Sequence, residues 1–199
     1  MVRYKAKKVN RRGGIVLAIL ISIVAVIVLV ISFMPKIKNI TTSYSTEVER
    51  YDSTIRKYAR QYEMSEYVDL IKAVMMQESK GKGLDPMQSS ESSYNTLYSK
   101  VPNGITDPEY SIECGIRYLK DSLDMAGSKG PEDLSAIKLA IQGYNYGHGY
   151  IPWAVDRDGG YTAENASLFS DKMALEMNWP RYGDKNYVTN VLRYYTHTA

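Results

Sequence analysis

The stretch AVMMQESKGKGLDPMQSSES, residues 73–92, decides how the chain is read. It begins as the end of an apolar helix and breaks at Gly81, Gly83 and Pro86. A single carboxylate, Glu78, stands between helix and break. Val74, Ile71 and Val68 precede it at helical spacing, which places Glu78 on the stripe that the helix buries. A carboxylate there loses hydration and lies at the negative end of the helix dipole. Both effects favour the neutral acid, so a raised pKa is expected. Such a group can deliver a proton at neutral pH. On spacing alone the competing reading is a Glu that is solvated or paired with a Lys such as Lys82.

Working outward, Thr46 with Glu49 reads as a capping box that opens a helix with Val48, Tyr51, Ile55, Ala59 and Tyr62 on one face. Ser65 is the expected cap of the helix that ends at Glu78. Residues 81–103 lack periodicity, and so long a loop within a compact domain is expected to carry function or to move. Asp107-Pro108 starts a further helix with Ile112, Ile116, Leu119 and Leu123 inward and Gly115 at a close contact. Pro131-Glu-Asp opens another, with Leu134, Ile137, Ala140, Ile141 and Tyr144 inward, running into a loop over 142–150. Two more helices are expected, from Thr162 to about Leu175 and from Asn186 to about Tyr195. No alternating strand and no repeat is legible, so the expected fold is mostly α.

The N-terminal part has a different character. Ile15 to Met34 is uncharged, with only Ser22 and Ser32 polar, and is long enough to span a bilayer. Arg3, Lys5, Lys7, Lys8, Arg11 and Arg12 precede it, with no acid before Glu47. The positive-inside rule puts residues 1–14 in the cytoplasm as a basic tail, 15–34 across the membrane, 35–46 outside as a tether, and 47–199 outside as the domain. Ser32-Phe33-Met34-Pro35-Lys36 offers no small-x-small cleavage site, so the anchor reads as uncleaved, and Cys114 is too far away for a lipid anchor. The expected location is therefore the cell membrane, single-pass, with the N-terminus inside. The formal charge of +3 comes from the tail: beyond Pro35 there are 19 basic and 22 acidic residues, which argues against nucleic acid as a partner. With one cysteine there is no internal disulfide, and about 150 residues must hold together by their core.

Three pieces stand in order: Glu78-Ser79, then Pro86-Met87-Gln88, then Gly143-Tyr144-Asn145-Tyr146-Gly147 with Trp153 following. Together they resemble the lysozyme-like superfamily that includes goose-type lysozymes and soluble lytic transglycosylases. Within it, Gln77-Glu78-Ser79 followed by Asp85-Pro-Met-Gln-Ser-Ser-Glu91 is similar to the muramidase domain of bifunctional cell-wall hydrolases of Gram-positive conjugative elements. The resemblance covers roughly residues 47–195. The chain ends where the second, peptidase domain of such hydrolases would begin. Cys114 with only His148 and His197 makes a peptidase unexpected.

The resemblance implies a lysozyme-like helical domain acting as a glycoside hydrolase on peptidoglycan, cleaving the β-1,4 bond between N-acetylmuramic acid and N-acetylglucosamine. Glu78 is then the general acid, and Asp85 a second carboxylate assisting water or stabilising positive charge. Asp85 before Pro86 also reads as a plain turn residue. Gln88, Ser89 and Glu91 are candidate glycan contacts. So are Tyr144, Asn145, Tyr146 and Trp153, although a core Tyr and a turn Asn remain the alternative at 144 and 145. Eighteen tyrosines against two phenylalanines suit sugar rings in a wet groove, and Tyr94, Tyr98, Tyr150 and Tyr161 join the loop set. Tyr51, Tyr58 and Tyr118 fall at helical spacing and read as core. No metal site and no cofactor is expected. Cell-wall synthesis or division proteins are further candidate partners beside the glycan strands and the membrane. Two other readings stay open: a lytic transglycosylase giving 1,6-anhydro products, and an idle glycan-binding or scaffold protein that keeps the groove without the chemistry.

Overall fold

The computed structural model describes residues 44–195, so the expected basic tail, membrane anchor and most of the tether lie outside the described residues. Within them the chain is helical and no strand occurs, as the periodicity leads one to expect. The order is α1 (Thr46–Glu49), α2 (Asp52–Gln61), a 3-10 turn (Ser65–Tyr67), α3 (Val68–Glu78), α4 (Pro108–Met125), α5 (Leu134–Tyr146), α6 (Tyr150–Asp158), α7 (Ala163–Met177) and α8 (Tyr187–Leu192). None of the described helices is long and apolar enough to cross a membrane.

The central helix is α3, buried from Val68 through Met76 except for Asp69. Its burial includes Lys72, whose ammonium reaches Glu49 at 2.9 Å and Asp52 at 2.6 Å. This ion pair accounts for a departure from the expected capping box. Glu49 faces Lys72 instead of closing back on its own helix, and the cap is Ser45, whose hydroxyl accepts from Val48 N at 3.2 Å. Likewise Ser65 opens a 3-10 turn rather than capping α3 directly.

Packed on α3 are α2, α8 and, through the main core, α4 and α5. Asp107 caps α4 with Pro108 in the first turn, as expected, and Ile112, Ile116, Leu119 and Leu123 are buried. Gly115 is a close contact, though with a loop: a Cβ there would meet the Met87 side chain at 2.6 Å. Asp133 caps α5, which begins at Leu134, so Leu134 is exposed at the helix mouth and not inward. The helix then runs on through Tyr146, where a loop was expected. Gly143 sits inside it because Ile151 packs against its α-carbon, leaving 2.6 Å to any added Cβ.

A second, smaller core joins Leu139, Tyr146, Tyr150, Ile151, Ala154, Ala166 and Phe169. It is built on α6, a helix the sequence reading treated partly as loop, and on α7, which Thr162 and Asn165 open with a capping box. The last helix, α8, is shorter than expected but buries Tyr187, Val188 and Val191 against α3 and α5.

Candidate active site

Glu78 is the last residue of α3 and keeps only a partial edge in solvent. Its Oε1 accepts a hydrogen bond from the Tyr187 hydroxyl of α8, across 109 positions of sequence. Burial pushes its carboxyl up from 4.5 to about 7. The Tyr187 bond pulls it down, and the charges of Asp85 and Asp184 push it up again. Tyr187 itself is raised well above its ordinary value by burial and by the Glu78 charge, so it remains a donor. The raised acid expected from helical spacing is present, and its chief cause is desolvation.

The loop after Glu78 is organised around Asp85. This side chain is 2 % exposed, and both oxygens are taken. Oδ1 accepts from Ser89 N at 2.9 Å and Ser111 Oγ at 2.6 Å, and Oδ2 from Ser90 N at 3.2 Å and Ser90 Oγ. Four donors on one carboxylate make a rigid turn. Ser79 Oγ donates to Pro86 O at 2.7 Å, tying the end of α3 to the same turn. Gln88, at φ +48°, spends its amide on Asp85 O and Asn103 Oδ1, at 2.9 and 2.7 Å. Buried Tyr144 donates to Met87 O at 2.8 Å. The ordered motif pieces therefore meet in space, and main-chain contacts join them.

An open groove of about 1090 Å³ runs beside this junction. Gln88, Ser89, Glu91 and Ser92 line it, with the Ser92 hydroxyl buried and lacking a partner within the described residues. Tyr144, Asn145 and Tyr146 at the end of α5 line it as well. The segment between α7 and α8 also lines it, including Trp179, Tyr182 and Asp184. Trp179 is 53 % exposed and stacks on Tyr182, with ring centroids 6.1 Å apart. Glu78 does not line the groove surface itself. It lies behind that surface, where the charge of the groove residue Asp184 raises it and its own charge raises the groove residue Tyr144.

Of the sequence-derived candidates, Gln88, Ser89, Glu91, Tyr144, Asn145 and Tyr146 line this groove. Asp85 does not, and neither does Trp153, which packs against Phe169 in the second core at 5.0 Å between centroids. Tyr146 and Tyr150 are buried in that core, their hydroxyls bound to Ala166 O and Asn165 Oδ1. Asn145 accepts from Asp184 N at 2.7 Å and so holds the segment between α7 and α8 in place. His148 stacks on Tyr118 at 4.0 Å and approaches Ser122 Oγ at 3.0 Å. Among the described residues no three His, Cys, Asp or Glu side chains gather as metal ligands would.

Sequence reasoning passed over Tyr187, Asp184 and Trp179. Asp184 and Tyr187 occur three residues apart at the mouth of an apolar-periodic helix, and Trp179 precedes Pro180 just after another. Those are signals of an ordered segment, but nothing local aims them at Glu78.

A helical domain that sets a carboxyl raised to about 7 at a helix end, behind an open groove with exposed aromatic residues, has the layout of a protein that binds its ligand in a cleft. More particularly, residues 45–198 match the family described as Lysozyme-like, and the chain belongs to it. It is 42 % identical over 154 residues to the bifunctional muramidase/DL-endopeptidase CwlT of Bacillus subtilis, covering 77 % of this chain and 43 % of that one. It is 42 % identical over 109 residues to a B. subtilis protein named uncharacterized membrane protein YocA, covering 55 % of this chain and 44 % of that one. A crystal structure from Staphylococcus aureus, of a protein described as similar to lipoprotein, NLP/P60 family, superposes with a TM-score of 0.64 at 32 % identity, covering 79 % of this chain and 55 % of that one. The chain thus spans about half the length of the relatives it matches.

Proposed function

We propose that this protein is a peptidoglycan hydrolase that cleaves the β-1,4 bond between N-acetylmuramic acid and N-acetylglucosamine. The carrying observation is Glu78, a carboxyl pushed up to about 7 and held by Tyr187 beside a groove. Near neutral pH a large share of it is protonated, as a general acid requires. Its proton passes to the glycosidic oxygen, which leaves with the electrons of the broken bond. Water then bonds to the sugar carbon and returns a proton to Glu78. The muramidase name of the CwlT relative supports this substrate class.

The Trp179–Tyr182 pair offers a sugar ring a flat face, and Glu91 offers a carboxylate partner among the groove-lining residues. Gln88, Ser89, Tyr144, Asn145 and Tyr146 shape the groove between them. Asp85 serves by fixing its loop and by its charge near Glu78. The experiment is digestion of purified peptidoglycan, with the fragments analysed by mass: reducing N-acetylmuramic acid ends are expected.

One observation favours a second reading. Both oxygens of Asp85 are engaged within the loop, which suits chemistry that manages with a single carboxylate. Lytic transglycosylation would then give 1,6-anhydro ends in the same digest.

The proposed site of action is the outer face of the cell membrane, with Ile15–Met34 as an uncleaved anchor and residues 35–199 outside. The apolar run and its basic flank support this, as does a relative named as a membrane protein. Protease added to cells stripped of their wall should remove the domain; a soluble processed form as the main species would overturn the topology.

A further inference from the structure

The turn between α7 and α8 is pressed onto the end of α5 more tightly than a connecting loop requires. Gly183, at φ +55°, leaves no room for a side chain: a Cβ would meet the Tyr146 ring at 2.5 Å and Asn145 Oδ1 at 2.7 Å. The next residue, Asp184, is gripped through its main chain at both ends. Its N–H donates to Asn145 Oδ1 at 2.7 Å, and its carbonyl accepts from Gln142 Nε2 at 3.2 Å. Three residues later comes Tyr187, the donor to Glu78. One short turn therefore fixes both the partner of the acid and a carboxylate on the groove wall.

The Asp184 side chain differs from Asp85 in what it has left to offer. Oδ1 accepts from Asn186 N at 2.8 Å and Oδ2 from Asn190 Nδ2 at 2.9 Å, so each oxygen has one donor and a further lone pair. It is half-buried and lines the groove, where Asp85 is sealed and saturated with four donors. The neighbouring Lys185 pairs with Asp171 at 2.6 Å and does not neutralise it.

Resting on the glycan-cleaving reading of Glu78, we propose that Asp184 supplies the carboxylate facing the sugar carbon on which positive charge develops, a part the loop-bound Asp85 is not free to play. As the bond to the leaving oxygen breaks, a fixed negative charge in the groove wall stabilises the oxocarbenium-like centre without moving. The same charge acts on Glu78. The titratable groups around that acid are Tyr187 on α8, Tyr144 on α5, Asp85 in the loop and Asp184 in the turn. Both aspartates favour its protonated form.

The test uses the full chain, purified in detergent, on purified peptidoglycan across a pH range, with Asp184→Asn, Asp184→Glu and Glu78→Gln side by side. Asparagine keeps an oxygen for Asn186 N–H and removes the charge. Turnover should fall by about 10²-fold, and the alkaline limb of the pH–rate profile should move to lower pH as Glu78 loses a negative neighbour. Asp184→Glu retains the charge, so it should hold the limb near its wild-type position even where the rate drops. Should Asp184→Asn not fold, Asp184→Ser takes its place with the same expected shift. Wild-type rates in the uncharged variant overturn the proposal, as do equal losses in both variants with the limb unmoved, provided Glu78→Gln is inactive. An active Glu78→Gln overturns the reading of Glu78 itself.

Discussion

Replacing Glu78 by glutamine should make the domain more stable at alkaline pH while sharply lowering its turnover. The carboxyl titrates near 4.5 in an unfolded chain and near 7 in the fold, chiefly because burial disfavours its charge. The folded state therefore holds this proton more tightly than the unfolded state. Its contribution to stability is fully present below pH 4.5 and is lost as pH rises through 7. Each pH unit of that interval is worth about 1.4 kcal/mol, so the loss comes to about 3 kcal/mol. Glutamine has the same shape, can accept from the Tyr187 hydroxyl through its amide oxygen, and carries no charge at any pH. Urea unfolding of the chain from Thr41 onward, which forms a compact unit of its own, would be followed at several pH values between 4.5 and 8.5. The wild-type midpoint should decline relative to that of the variant over this range, until the variant is ahead by about 3 kcal/mol. Peptidoglycan turnover by the variant should fall by roughly 10²-fold or more. Midpoints that run parallel from acid to alkaline pH would refute the argument, because Glu78 would then titrate alike in both states.

Tyr187→Phe removes a hydrogen bond that favours the ionised form of Glu78, so the alkaline limb of the pH–rate profile should move to higher pH. With the acid less well oriented, turnover should drop by about tenfold; a limb that stays still or moves down contradicts the assigned role. Asn145→Ala deletes the acceptor that holds the Asp184 N–H, at a cost of about 1 kcal/mol. Calorimetry should show a melting point lowered by about 3 °C, with a larger proportional loss in rate because the groove wall shifts. Full activity would mean that the wall does not depend on this bond.

What was legible in the sequence was local and periodic. Val68, Ile71 and Val74 placed Glu78 on a buried stripe, and burial is the leading cause of its raised value. Asp107-Pro108 and Thr162 marked helix starts because capping chemistry acts within four residues. The failures occurred where a distant contact overrides a local signal. Residues 142–146 look like a turn because of Gly143, yet that glycine is there to admit Ile151 against the helix. Tyr150 and Trp153 look like groove aromatics in a loop, but α6 turns both toward Phe169. Leu134 fits the inward stripe of α5 but falls on its first residue, where no neighbouring helix covers it.

The candidate site divides the same way. Motif residues read from the sequence mainly hold one another: Ser79 holds Pro86, Asp85 holds Ser89, Ser90 and Ser111, Tyr144 holds Met87, and Asn145 holds Asp184. Met87 is the joint, fully buried between Gly115 on α4 and the Tyr144 hydroxyl on α5. A bulkier residue at 115 would displace the Met87 side chain, so the glycine and the motif constrain each other through packing alone. The residues the sequence did not single out, Tyr187 and Asp184, are those whose value depends on the joint being closed. They approach Glu78 and the groove only once α8 has docked on α3 and α5, which no window of local sequence can display. Pattern therefore reached the loop and helix ends that frame the candidate site and the buried carboxyl of Glu78, while the partners of that carboxyl follow only from the tertiary closure around it.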